Sequence, residues 1–448
     1  VTDTVFAVAS APGRGGVAVL RISGPAAGGA LEALSRRPLP PPRRATLARL
    51  RDPASGEPID SGLVLWFPGP ASFTGEDVVE LHVHGGRAVV AAIGEALSSL
   101  PGLRPAEPGE FTRRAFENGR LDLTEAEAVA DLVAAETEAQ RRQALRQMEG
   151  ALGRLYEGWR ARLTRALAHM EAEIDFPDED LPEGVGSAAR PELAALAGEI
   201  RAHLDDGHRG ERLRDGISVA ILGAPNAGKS SLLNALARRD AAIVSERAGT
   251  TRDVVEVGLD LGGYPVTVAD TAGLREAEDE VEAEGVRRAL ARAERADLRI
   301  AVFDATRLPE VDPRTAALVD ADTVVVLNKV DALAPGVGAA PMFHVKPPPD
   351  ALRVSAATGA GIPALLERLS ELVARRYAVG PSPALTRARH RSALEGCRDA
   401  LLRALDAPLP ELAAEDVRLA ARALGRITGR VDVEDLLDVI FRDFCIGK

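Results

Sequence analysis

Residues 223–231 read Gly-Ala-Pro-Asn-Ala-Gly-Lys-Ser-Ser, a Gly-x-x-x-x-Gly-Lys-Ser spacing set between the apolar run 217–222 and Leu232, Leu233 and Leu236. A strand, a tight loop and a helix start in that order build a phosphate-binding loop. Gly223 and Gly228 let backbone N–H groups turn inward on phosphate oxygens, and the helix N-terminus adds partial positive charge. Lys229 stands where it reaches β- and γ-phosphates, and the Ser230 hydroxyl where it ligates Mg²⁺. A glycine-rich turn that holds a lysine by chance is the plainer alternative, and the motifs that follow weigh against it. Gly249-Thr250-Thr251-Arg252 offers a loop threonine to complete Mg²⁺ coordination when a γ-phosphate is present. Asp270-Thr271-Ala272-Gly273 offers a carboxylate for Mg²⁺, through water, and the Gly273 N–H for the γ-phosphate. Asn328-Lys329-Val330-Asp331 ends in a carboxylate that accepts both the N1–H and the 2-amino group of guanine, donors that adenine lacks. Ser355, Ala356 and Ala357 add backbone contacts to the base.

Each motif needs a strand end to present it. The apolar runs 217–222 and 323–327 lead into the first and fourth motifs, and Gly262-Gly263 joins 254–261 to 264–270 as a hairpin ending at Asp270. Four motifs in order at strand ends predict a guanine-nucleotide domain with a doubly wound, mostly parallel sheet. Leu274 follows Gly273 where many GTPases carry a water-orienting glutamine. Hydrolysis therefore needs another positioning group, and Arg275, Glu276, Asp279, Glu280 and Glu282 are the candidates downstream.

At 448 residues the chain has room for about three domains. Its 46% hydrophobic and 27% charged residues suit a soluble globular protein. No apolar run is long enough to cross a bilayer, and the N-terminus shows no basic-then-apolar signal pattern. Two cysteines, Cys397 and Cys445, make no disulfide framework, so a reducing cytoplasm is expected. A net charge of −12 and 3% aromatic residues argue against a chain that grips nucleic acid unaided. The only lysines are Lys229, Lys329, Lys346 and Lys448, in a chain otherwise rich in arginine. A lysine that survives such replacement points to a site where a guanidinium does not substitute.

Before residue 119 the chain alternates like a sheet. Glu80, His82 and His84 share one face of the run 78–84: the polar side of a strand, a small-ligand or interface face or, less favoured, part of a metal site. Helical periodicity then covers 111–118, 122–150, 154–174 and 191–214, with an acidic, proline-bearing loop at 174–180. It returns over 386–405 and 415–424. Arg387, Arg389, His390 and Arg391 read as a solvated helix face more readily than as a nucleic-acid contact. Cys397 reads as core, and Cys445 as either a functional thiol or a small residue beside a buried C-terminus.

Over nearly its whole length the chain resembles the tRNA-modification GTPase family called MnmE or TrmE. The resemblance rests on Pro12-Gly13-Arg14-Gly15-Gly16, Leu20-Arg21-Ile22-Ser23-Gly24, Phe73-Thr74-Gly75-Glu76-Asp77 and Glu80-Leu81-His82. It rests further on Pro108-Gly109-Glu110-Phe111-Thr112, Asn118-Gly119-Arg120-Leu121-Asp122-Leu123, Glu173-Ile174-Asp175-Phe176-Pro177, Pro225-Asn226-Ala227-Gly228-Lys229-Ser230 and the closing Phe444-Cys445-Ile446-Gly447-Lys448. The phosphate-loop motif is shared by all related GTPases; the N-terminal stretches and the terminal Cys-x-Gly-Lys are specific.

The resemblance implies an α/β fold in which a P-loop GTPase domain (213–379) is inserted in an α-helical bundle domain (119–212 and 380–448). An N-terminal α+β domain (1–118) binds folate and forms a homodimer. It implies GTP-driven modification at C5 of the wobble uridine of tRNA, to a 5-carboxymethylaminomethyl-type group, with an FAD-dependent tRNA modification partner of the MnmG or GidA type. The one-carbon unit comes from 5-formyltetrahydrofolate or a related tetrahydrofolate, contacted by Arg21, Glu80, Arg120 and Lys448. Glutamate suits pterin donors and arginine suits a glutamyl tail. The family draws Ala227, Ser231, Glu246, Ala248, Gly249, Thr271 and Ala272 into the GTP site and assigns Mg²⁺ to Ser230 and Thr251. It assigns K⁺ to the Asn226 side chain and to backbone groups of Ser245, Arg247 and Thr250, a cation in place of an arginine finger. Glu282 matches its water-positioning glutamate. Ser245 and Arg247 depart from the usual threonine and aliphatic residue, and Arg247 brings a charge near the K⁺. A non-catalytic assembly switch with the same G domain is the competing reading. It leaves the N-terminal sheet region and Lys448 without a role.

Overall fold

The computed structural model describes residues 3–175, 185–239, 241–243, 256–270, 295–333, 351–378, 380, 383–431, 434–442 and 444–447. The chain gathers into two compact units: Val1–Val133 with Ala144–Leu204 and Arg389–Lys448, and Ala134–Gln143 with Asp205–Ala388.

In the first unit, strands β1 (Thr4–Val8), β2 (Gly15–Ser23), β3 (Thr46–Arg51), β4 (Pro58–Phe67), β5 (Val78–Gly85) and β6 (Leu103–Pro105) form one sheet in the order β3-β4-β5-β2-β1-β6. Side chains alternate between its faces. Ala18, Leu20, Ile22, Val79, Leu81 and Val83 point to a core shared with helices α1 (Ala27–Ser35) and α2 (Arg87–Ser98). Arg21, Glu80 and His82 therefore occupy the other face, and antiparallel pairing sets Arg21 directly opposite Glu80.

Beyond α3 (Glu110–Glu117) the unit is helical. A capping box opens α4 (Leu123–Ala134): Asp122 Oδ1 accepts the Glu125 N–H, and Glu125 Oε2 accepts the Asp122 N–H. The continuous helix expected over 122–150 is broken here. Gln140 Oε1 accepts the N–H groups of Glu136 and Thr137, so a new helix, α5 (Glu138–Met148), starts after them. In α6 (Ala151–Asp175), Leu152, Tyr156, Trp159, Leu163 and Ala166 form the buried stripe. Helices α7 (Val185–Leu204), Ala388–Asp406, Pro410–Thr428 and Glu434–Arg442 follow, and in Pro410–Thr428 Ala413, Val417, Ala420 and Leu424 repeat at helical spacing toward the interior.

The cluster at 387–391 is not a solvated face. His390 is fully buried and its Nε2 lies 2.9 Å from Glu127 Oε2, while Arg389 Nε donates to Glu127 Oε1 at 2.6 Å. Arg391 donates to the Leu204 carbonyl at 2.8 Å. Burial alone raises the Glu127 pKa, but His390 and then Arg389 outweigh it and hold the carboxyl below the usual range.

In the second unit, after α8 (Arg209–Asp215), strands β7 (Ile217–Leu222), β8 (Ala242–Ile243), β9 (Glu256–Leu261), β10 (Tyr264–Asp270), β11 (Leu298–Asp304), β12 (Thr323–Asn328) and β13 (Leu352–Arg353) form a sheet in the order β13-β12-β11-β7-β10-β9-β8. The pairs from β13 through β10 are parallel, and β9 and β8 join antiparallel. Runs such as Val324-Val325-Val326 are buried, as parallel strands covered on both faces require. Helices α9 (Lys229–Ala237) and Ile362–Tyr377 add Leu232, Leu233, Leu236, Leu365 and Leu369 to this core. The ends of β7, β10 and β12 carry the first, third and fourth sequence motifs.

Candidate functional site

The turn from β7 into α9 is shaped by Gly228. Its φ is +93°, and a Cβ there would stand 2.2 Å from Asn328 Nδ2, so no other residue fits without moving the loop. Asn328, 1% exposed, uses both ends of its amide: Nδ2 donates to the Ala227 carbonyl at 2.9 Å and Oδ1 accepts the Ala356 N–H at 3.1 Å. One side chain thus ties the phosphate loop to the 355–357 loop.

Lys229 is 7% exposed, and its Nζ donates to the carbonyls of Gly223 and Ala224 at 2.9 and 3.0 Å. Burial lowers its pKa, against the pull of Asp270 and Asp312. A buried ammonium with two carbonyls and a third proton to place suits an anion in the loop. Parallel pairing of β10 with β7 sets Asp270 opposite Ile221, and Asp270 Oδ2 accepts a hydrogen bond from Ser230 Oγ. Two hard oxygens side by side fit Mg²⁺. Asn226, exposed at φ +64°, has no side-chain hydrogen bond among the described residues, which leaves its amide oxygen available to a cation. Ala227 is buried and Ser231 is exposed on α9.

Asp331 lies in the short turn Val330–Ala332, exposed and without a side-chain partner among the described residues. Lys329, at φ +66°, places Nζ 2.7 Å from Asp304 Oδ2. Burial raises the Asp304 pKa, but Lys329 and the Thr306 hydrogen bonds bring it below the ordinary value. Sequence reasoning missed Asp304; its position at the end of β11, parallel to β12, was the available signal. Ser355 is buried and Ala357 exposed. Ser245, Glu246, Arg247, Ala248, Gly249, Thr250, Thr251, Thr271, Ala272, Gly273, Glu282 and Lys448 lie outside the described residues.

A second constellation occupies the open face of the first unit's sheet. Arg21 donates through Nε and Nη2 to Glu80 Oε1 at 3.2 and 2.9 Å, leaving Nη1 without a partner among the described residues. Its Cζ lies 5.7 Å from the Phe73 ring and 5.8 Å from the Phe111 ring. Burial raises the Glu80 pKa, yet Arg21 and then His82 depress it further, so the carboxylate is ionised at neutral pH. His82 Nε2 stands 3.3 Å from Glu80 Oε2, and His84 pairs with Asp60; no metal-holding group of His, Cys, Asp or Glu occurs among the described residues. An ionised acceptor, a free guanidinium N–H and two aromatic rings fit a flat heterocycle with N–H donors and an acidic tail. Arg120 is exposed, its stem against Gly75. Ile446 bridges to Pro108, and Gly447 approaches Val8, so the C-terminal segment reaches this sheet's edge. Cys445 is exposed, and both readings of it stand, whereas Cys397 is buried, as expected of core, with its thiol pushed up to about 12 by desolvation.

A phosphate loop at the β7–α9 turn, locked by Asn328 to the 355–357 loop in a mostly parallel sheet, defines a P-loop GTPase carried in one chain with an α+β region and a helical region. Residues 4–120 match the model of the GTP-binding protein TrmE N-terminus, and residues 123–445 that of the MnmE helical domain. The chain is 62% identical to the tRNA modification GTPase MnmE of Parvibaculum lavamentivorans, covering 100% of each chain. It is 61% identical to that of Rhodospirillum rubrum, over 100% of this chain and 99% of the relative. It is 53% identical to the human protein 5-taurinomethyluridine-[tRNA] synthase subunit GTPB3, mitochondrial, over 99% of this chain and 93% of the relative. The chain belongs to the MnmE family of tRNA modification GTPases. No helix among the described residues is long and apolar enough to cross a membrane.

Proposed function

We propose that the Asp205–Ala388 unit hydrolyses GTP to GDP and phosphate, and that this turnover drives modification at C5 of the wobble uridine of tRNA in the cytoplasm. The observation that carries the guanine assignment is the exposed Asp331 carboxylate, without a side-chain partner among the described residues, beside the Asn328-locked loop. The name of the human relative, a taurinomethyluridine synthase subunit, supports uridine as the substrate base.

Water attacks the γ-phosphorus, the bond to the GDP oxygen breaks, and the water's proton ends on the phosphate. Lys229 would face the β- and γ-oxygens; Ser230, Thr251 and Asp270 would hold Mg²⁺, and the Gly273 N–H would meet the γ-phosphate. Asn226, Ser245, Arg247 and Thr250 would hold K⁺. Bound there, the two cations neutralise charge that develops on the phosphates. Glu282 orients the attacking water, the task Leu274 cannot perform. Asp331 selects guanine, with Ser355, Ala356 and Ala357 along the base.

Arg21, Glu80, Arg120 and Lys448 would bind a tetrahydrofolate derivative such as 5-formyltetrahydrofolate, which supplies the one-carbon unit. Glu80 accepts from pterin N–H groups and the arginines take the acidic tail. An FAD-dependent partner of the MnmG type completes the reaction. With a net charge of −12 and with Arg389 and His390 committed to Glu127, tRNA affinity comes largely from that partner complex. Tight, salt-sensitive filter binding of tRNA by the isolated chain would contradict this. On the open sheet face, Leu47 (65% exposed), Leu63 (44%), His82 and Val19 stand in register across β3, β4, β5 and β2. Apart from His82 that row is apolar, and it supports pairing of two copies through the N-terminal region; a monomer in sedimentation would remove it.

Nucleotide turnover tests the assignment. Asp331→Asn is expected to weaken GTP at least about 100-fold, because an amide keeps one acceptor oxygen and turns its NH₂ donor on the second guanine donor. Glu282→Ala is expected to keep GTP affinity and hydrolyse slowly. Unchanged GTP affinity in Asp331→Asn, or ATP cleaved as readily as GTP by the wild type, overturns the reading.

A further inference from the structure

Residues 68–77, between β4 and β5, contain no helix or strand and yet are tied down throughout. The Gly69 N–H donates to Asp77 Oδ1 at 2.8 Å, Ser72 Oγ donates to the Glu76 carbonyl at 2.5 Å, and Asn118 Nδ2 donates to the Thr74 carbonyl at 2.7 Å. Ser23 Oγ donates to Glu76 Oε2 at 2.8 Å and lies 2.7 Å from Thr74 Oγ1. A serine has one hydroxyl proton, so Thr74 is the donor in that second contact, and its oxygen is left to accept the Glu76 N–H at 3.3 Å. The chain of donors runs one way and ends on Glu76.

Beneath Glu76 lies Arg114. It is the largest fully buried side chain among the described residues, at 2% exposure. Nη1 donates to Glu76 Oε2 at 3.2 Å and to the Asp3 carbonyl at 3.0 Å; Nη2 donates to Asp3 Oδ1 and Glu110 Oε1, both at 2.9 Å. A buried guanidinium needs such a set to offset its desolvation, and a set of fixed carboxylates holds geometry more than it adds stability.

The loop thus held touches both described arginines of the second constellation. Phe73 sets its ring 5.7 Å from Arg21 Cζ. Gly75 has φ +80°, and a Cβ there would lie 3.0 Å from Asn118 Cβ and 3.2 Å from Arg120 Cγ, so loop and Arg120 stem are fitted to each other.

We propose that Arg114, acting through Glu76, is a positioning residue of the Arg21–Glu80 pocket: it fixes loop 68–77 so that Phe73 covers Arg21 and Gly75 seats Arg120, and a tetrahydrofolate binds tightly only to the loop so held. This rests on the folate reading above. Charge-fixing the wall of a pocket removes loop-ordering entropy from the binding step.

The test is calorimetric titration of 5-formyltetrahydrofolate into the full chain, with GTP turnover and thermal unfolding followed on the same samples. Glu76→Gln is expected to weaken binding about 10-fold with GTP turnover unchanged, and Phe73→Ala to weaken binding by a similar factor. The double variant is expected to be little weaker than either single one, because Glu76 acts through the loop that presents Phe73. A merely structural role would give independent, multiplied losses of about 100-fold. Arg114→Lys keeps the charge without the fork and is expected to behave as Glu76→Gln, so the role is testable if one variant fails to fold. Wild-type affinity in Glu76→Gln or Arg114→Lys, or multiplied losses in the double variant, overturns the positioning role. Arg21→Ala separates the two levels. If the wild type binds no folate, or Arg21→Ala binds as the wild type does, the folate reading falls and the positioning role with it. If Arg21→Ala loses binding and Glu76→Gln does not, only the positioning role falls.

Discussion

The placement of Lys229 carries a cost for the unliganded protein. Its pKa is lowered by burial, so the folded chain holds this proton less tightly than the unfolded chain does, and the charge opposes folding at neutral pH. Such a group is retained for what binds it. Lys229→Met should therefore leave the melting temperature of the nucleotide-free protein unchanged or higher, while GTP affinity falls at least about 10-fold. Scanning calorimetry and nucleotide titration check the two halves, and a destabilised apo-protein with normal GTP affinity would contradict both. Lys229, Ser230, Asn328 and Asp331 were legible in the sequence because each belongs to a short motif whose geometry is local. Asp304 was not, since its tie to Lys329 spans two strands. Glu80 stood out on the polar face of its strand, but Arg21 and its pairing with Glu80 emerged only from the family resemblance: they meet through a register across β2 and β5 that no local spacing reveals.

At the scale of elements, α4 and the helix Ala388–Asp406 are joined by Glu127 with Arg389 and His390. The Glu127 pKa lies below its unfolded value, so its contribution to stability is present above the ordinary carboxylate range and is lost as pH falls through the folded value. Glu127→Gln takes the carboxylate from the half-buried Arg389 guanidinium and the fully buried His390 ring and should cost about 3 kcal/mol at neutral pH. Its stability should also fall less steeply below pH about 4 than that of the wild type. Denaturant melts across pH 3–7 check this; parallel wild-type and variant curves would contradict it. Four basic residues within five positions looked like a surface because their carboxylate partner lies more than two hundred residues earlier. Helical periodicity located the helices around 122–150 and 154–174 but ran through the interruption at 135–137. There a single glutamine amide at Gln140 caps the next helix, a contact that a hydrophobic pattern does not encode.

For the whole molecule, the chain's likeness to tRNA modification GTPases extends from end to end, and the two constellations lie in different compact units. The sheet class of the nucleotide-binding unit was readable from motifs at strand ends. The six-strand order of the first unit was not, because β6 pairs with β1 across about a hundred residues and only the folded chain brings them together. The central claim is that nucleotide turnover at Lys229 drives base chemistry performed elsewhere. Mass spectrometry of wobble nucleosides tests it most directly, on tRNA from a strain lacking this gene and rescued with either wild type or Lys229→Met. The account predicts that the wild type restores the C5-substituted uridine and that Lys229→Met leaves it unmodified; full restoration by Lys229→Met would contradict it.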